Sequence, residues 1–63
     1  MSTTPDPAAV EAVRTLQATL AQAVADPTVL VATVEAAAWD AHNKVEAAGG
    51  DYLGVFAEAN RPG

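Results

Sequence analysis

Asp26-Pro27 sits inside a run of helix-favouring residues that would otherwise continue from residue 7 to residue 48. A residue that precedes proline is pushed away from helical angles. Proline itself is well tolerated at the first helical position, where its missing N–H would have no partner, and aspartate is a good N-cap acceptor. The pair therefore predicts that one helix ends at Asp26 and a second begins at Pro27. Asp6-Pro7 makes the same signal twenty residues earlier. "DPAAVEAV" and "DPTVLVATVEAA" read as two similar helix starts as readily as a duplication.

The first helix is expected over residues 7–25. Val10, Val13, Leu16, Leu20 and Val24 recur at steps of three and four and form one apolar stripe. The second is expected over 27–48, with its stripe at Leu30, Val31, Val34, Ala38, Ala41 and Val45. With almost no loop between them, the two should fold back as an antiparallel hairpin. A single helix kinked at Pro27 is the alternative. Asp51 can cap a third, short helix over 51–59, in which Tyr52 and Phe56 would share a face flanked by Leu53 and Val55. Gly54 costs that helix about 1 kcal/mol relative to alanine, so an extended arm is the other form this segment could take. Residues 1–5 read as a disordered lead-in and 61–63 as a tail. The expected fold is all-α: one small helical domain over residues 6–60, an antiparallel helical hairpin plus a short C-terminal helix or extended arm.

Size bounds the function. A chain of 63 residues buries only about 60% of the surface its unfolded form exposes. A single core of this size contributes roughly 3–5 kcal/mol. With no cysteine and one histidine, neither a disulfide nor a structural zinc site, which takes about four N or S ligands, can add to it. That leaves idealised helix packing, self-association or docking on a partner, and the last two are the expectation. The net charge of −5, with Arg14, Lys44 and Arg61 as the only cations, argues against nucleic acid and anionic membranes as partners. The N-terminus lacks the charged and apolar regions of a secretory signal, and no apolar run approaches the ~20 residues of a membrane span. The cytoplasm, or the interior of an assembled particle, is the expected location.

Glu35, Trp39, His42 and Glu46 are spaced four, three and four apart and line a second face of helix 2. A charged face with the chain's only tryptophan in its middle is more than a solvated face, because tryptophan is enriched among interface hot spots. Tyr52, Leu53 and Phe56 could fold back over Trp39 within one chain, or these residues together could meet a partner; a small-molecule pocket is the third reading. His42 and Glu46 could share a metal ion at i, i+4, but carboxylate sites in bundles draw Glu-x-x-His pairs from several helices. No phosphate loop, nucleophile elbow or Ser/His/Asp constellation is present, and no cofactor is implied. Asp40 and Lys44 form an acid-before-base helical pair worth a few tenths of a kcal/mol.

Gly49-Gly50 admits two readings. Glycine just past a helix end supplies the left-handed C-cap conformation. An amphipathic helix ending in Gly-Gly also resembles the leaders of exported or modified ribosomal peptides. That resemblance implies cleavage after Gly50 and a product "DYLGVFAEANRPG". Lys44 and Ala47 fit poorly where such leaders are apolar, and the product would lack Cys, Ser and Thr. The expectation carried forward is a non-enzymatic structural or interaction subunit that docks by helix packing into a homo-oligomer, a multi-subunit complex or a viral particle. Trp39, Tyr52 and Phe56 would be its aromatic anchors.

Overall fold

The computed structural model describes residues 5–62. It contains three helices, α1 (Pro7–Ala25), α2 (Val31–Ala47) and α3 (Tyr52–Ala59), and no strand among the described residues. Residues 1–4 of the expected lead-in and Gly63 of the expected tail lie outside the described residues.

Helix α1 starts as its sequence dictates. The Asp6 carboxylate accepts from the Ala8 N–H at 2.9 Å, and Pro7 occupies the first turn. At the other end the Asp26 N–H donates to the Gln22 carbonyl at 2.7 Å, the last bond of the helix.

The second Asp-Pro behaves differently. Residues 27–30 are not helical, so α2 begins at Val31 and not at Pro27. Asp26 does not cap it. Its Oδ1 accepts from the N–H of Thr28 at 2.9 Å and from its Oγ1 at 2.7 Å, while the Val29 N–H reaches the Asp26 carbonyl at 3.2 Å. These bonds close a turn. Packed helices run 8–10 Å apart, and antiparallel neighbours normally need a connection of about 2–8 residues. That reversal consumes the residues that would have formed the first turn of α2. Leu30 is left as the N-cap, with extended backbone angles and no side-chain bond.

The hairpin is antiparallel. Ala9, Val10, Ala12 and Val13 from the start of α1 cluster with Ala41 and Val45 from the end of α2, and Val55 of α3 completes this core. Leu16, Tyr52 and Ala59 pack against it. Two expected stripes are therefore only partly buried. Leu20 and Val24 of the first, and Leu30, Val31 and Ala38 of the second, are exposed.

The reason lies in α3. It packs on α1, where Arg14 Nε donates to the Ala59 carbonyl and Nη2 to the Glu58 carbonyl, both at 3.4 Å. Gln17 Nε2 donates to Asn60 Oδ1 at 3.1 Å. The Arg14 charge thus sits at the C-terminus of α3, where unpaired carbonyls and the helix dipole favour a cation. Val55, not Phe56, is the inward residue of α3, with Tyr52 three positions before it and Ala59 four after. The Tyr52–Phe56 face expected from the sequence is rotated, and Phe56 points outward.

Gly49 and Gly50 end α2 with φ of 109° and 79°. The Gly50 N–H donates to the Val45 carbonyl at 2.9 Å and the Gly49 N–H to the Glu46 carbonyl at 3.1 Å. This is the paired bond pattern of a Schellman cap. Asp51 then caps α3, its carboxylate accepting from the Gly54 N–H at 3.0 Å. A Cβ on Gly54 would run into that carboxylate. The glycine that weakens α3 as a helix former is what lets its cap lie close.

Candidate functional site

Helix α2 brings Glu35, Trp39, His42 and Glu46 onto one side, as their spacing requires, and the cap at Gly49-Gly50 turns Tyr52 back towards them. The Tyr52 hydroxyl donates to Glu46 Oε1 at 2.9 Å and lies 2.7 Å from His42 Nδ1. A phenol has one proton. With that proton given to the carboxylate, the oxygen can only accept from His42, so Nδ1 carries a hydrogen and Nε2 of the neutral ring is the free lone pair. The chain of bonds runs His42 to Tyr52 to Glu46.

The electrostatics follow from this placement. Loss of water around the hydroxyl, and then the bond to Glu46 and its negative charge, push the Tyr52 pKa above its ordinary value of 10.0. All three effects favour the neutral phenol, which keeps the connection intact in the neutral range.

The rings are ordered around His42. It meets Trp39 edge to face, with centroids 5.7 Å apart and planes at 87°, and lies near-parallel to Tyr52 at 6.1 Å and 27°. Beyond His42, Glu35, Ala38 and Trp39 share with it an open hollow of about 320 Å³. All four belong to α2, so the hollow is a notch on one helix and has no opposite wall.

The structure joins five of the seven residues singled out in the sequence: Glu35, Trp39, His42, Glu46 and Tyr52. Leu53 and Phe56 stand apart, 87% and 40% exposed, and no ring pair links Phe56 to Trp39 among the described residues. Tyr52 alone turns back, and Trp39 stays 64% exposed. Sequence reasoning missed Arg14 and Gln17, whose contacts with residues 58–60 fix the angle at which α3 presents Tyr52. Their signal was present as two polar groups three apart on α1 beside an apolar stripe. The Asp40–Lys44 pair forms as its spacing predicts, at 2.9 Å.

Among the described residues no three His, Asp or Glu side chains converge as metal ligands, and no helix is long and apolar enough to cross a membrane. No family model matches the chain, and neither the curated proteins nor the solved structures contain a match to it.

Proposed function

We propose that the chain is a non-enzymatic interaction subunit that docks by helix packing into a larger assembly, within the cytoplasm or an assembled particle. One observation carries this reading: the distribution of side-chain sizes is inverted. The buried core is made of alanine and valine, with Val13 and Val45 its largest fully buried side chains, while Trp39, Leu30 and Leu53 are exposed. Burying a large apolar side chain is worth about 1.5–3 kcal/mol. A chain whose own core is this small gains more by placing such side chains against another protein than by leaving them in water.

The Trp39 face is the docking surface for a protein partner. The bonds of Tyr52 to His42 and Glu46 hold the ring that Trp39 meets edge to face, so those three side chains lose little freedom on binding. Glu35 at the edge of the notch and a chain charge of −5 suit a neutral or basic partner surface and disfavour an acidic one.

The test is the mass of the chain in extract of its source cells. The reading expects it to travel well above 6.4 kDa, and Trp39→Ala to release it. A chain that sediments as a 6.4 kDa monomer in fresh extract is not a subunit of anything.

A further inference from the structure

The end of the hairpin opposite the core has a composition of its own. Between Arg14 and Glu35 the only charged residue is Asp26, so ten of the eleven Asp, Glu, Lys and Arg residues lie elsewhere. Asp26 is itself engaged, accepting both bonds from Thr28 within the turn. Around it Val24 is 89%, Leu30 69% and Val31 71% exposed, with Leu20 one helical turn below Val24.

This surface continues an interface that already exists. On α1, residues seven apart point in nearly the same direction, drifting by only about 20°. Leu20 therefore follows Val13, and Val24 follows Gln17 and Val10. Val10 and Val13 are buried in the core that Val55 completes, and Gln17 meets Asn60 at the end of α3. There α3 stops, and the same line of α1 runs on uncovered through Leu20 and Val24.

The geometry points to a second copy of this chain as the cover: two hairpins overlap tip to tip about a two-fold axis, each laying residues 20–34 against the other. Charge selects this occupant. A chain of charge −5 can approach its like only through a surface that is nearly free of charge. Tip-to-tip overlap also carries the acidic ends away from each other. Area limits its strength. A standard interface takes about 800 Å² from each partner, close to a fifth of the 4526 Å² this chain exposes, and one face of a tip of fifteen among 63 residues offers less, so the dimer is a weak one. A two-fold contact is self-complementary, so one apolar patch serves both sides. The inference shares with the proposed function the premise that exposed apolar side chains are docking surfaces, but it concerns the tip and not the Trp39 face.

Sedimentation equilibrium of the full chain from micromolar to millimolar concentration tests it. The expected result is a mass rising towards twice 6.4 kDa, with tighter association as added salt screens the like charges. Leu30→Ser separates the tip contact from folding. It removes apolar surface yet supplies the N-cap oxygen that α2 lacks, so the monomer should melt at a higher temperature while dimerisation weakens by about tenfold or more. Val24→Gln should weaken it similarly. The chain has no cysteine, so Val24→Cys should yield a disulfide-linked dimer on mild oxidation and Ala47→Cys should not. A monomer at every concentration overturns the inference. So does a dimer that Leu30→Ser and Val24→Gln leave intact but Trp39→Ala dissolves, which would place the second copy on the other face. The extract mass decides the proposed function separately, because a tip-monomeric chain can still travel in a heterologous assembly.

Discussion

The Tyr52 hydroxyl stands 2.7 Å from Nδ1 of His42, ten residues earlier in the chain and across the end of α2. This contact ties α3 to α2, whereas the rest of α3 leans on α1. It exists because Gly49 and Gly50 reverse the chain within two residues, and it fixes a proton on one nitrogen of the imidazole.

That proton gives the first prediction. In the neutral ring, nitrogen chemical shifts should place the hydrogen on Nδ1 of His42. Tyr52→Phe keeps the ring packing but removes the acceptor, and should shift the population towards the Nε2–H form. An Nε2–H majority in the unaltered chain would mean that the hydroxyl points to His42 and not to Glu46.

A second prediction concerns alkaline pH. Tyr52 has its folded pKa raised above 10.0, so the folded chain holds the proton more tightly than the unfolded one. Its contribution to stability is complete below pH 10.0 and is lost as pH rises through the folded value. Thermal melts should fall across that window, and Tyr52→Phe should abolish the fall attributable to this group. Absorbance of the phenolate, appearing only above the ordinary range, reports the same event directly.

At acid pH the turn is the sensitive element. The Thr28 hydroxyl, and then the Thr28 N–H, hold the Asp26 pKa below its ordinary 3.8. A lowered acid pKa stabilises the fold above the unfolded value, and that part is lost as pH falls through the folded one. Melting temperature should therefore drop below pH 3.8, with Asp26→Asn showing less of the drop. Equal acid sensitivity in the two chains would remove Asp26 as its cause.

Glycine geometry supplies a fourth. Gly49 has φ of 109°, where an L side chain is strained, so Gly49→Ala should cost about 1–2 kcal/mol. In a domain of this size each kcal/mol lowers the melting temperature by roughly 4–8 °C. The open space around Gly49 means that the loss comes from the backbone and not from a clash. An unchanged melting temperature would show that the left-handed cap is not needed.

The docking of α3 gives a fifth. Val55→Ala removes two carbons from the core, worth about 1.5–2.5 kcal/mol. Because α3 is short and sits at one end, its amides should exchange faster than those at the centre of the hairpin. Arg14→Met, which keeps the aliphatic stem, should cost about 0.5–1 kcal/mol through the α3 carbonyls alone.

The sequence-based expectations divide along physical lines. Helix α1 matches its reading at both ends because Asp6-Pro7 and Asp26 are local signals. The start of α2 does not, because the same dipeptide can cap a helix or close a turn. Which of these Asp26 does is set by the distance the chain must cross between two packed helices. The face of α2 that carries Glu35, Trp39, His42 and Glu46 was legible from 3.6-residue periodicity; the return of Tyr52 alone to His42 and Glu46, without Leu53 and Phe56, was not. The exposure of Leu20, Val24 and Leu30 was not, since periodicity marks an apolar stripe without saying how far a covering helix reaches. Val55 and Phe56 are adjacent, and only the Arg14 and Gln17 contacts with residues 58–60 decide which of them faces in.

The account rests on large apolar side chains being covered in the working protein. Rapid hydroxyl-radical footprinting, on the isolated chain when dilute and on the chain inside its source cells, reads this at single residues. The prediction is that Trp39 and Leu30 are oxidised readily in the isolated chain and protected in the cell. Equal oxidation of both residues in the two settings would contradict it, and the exposed surface would then have no occupant.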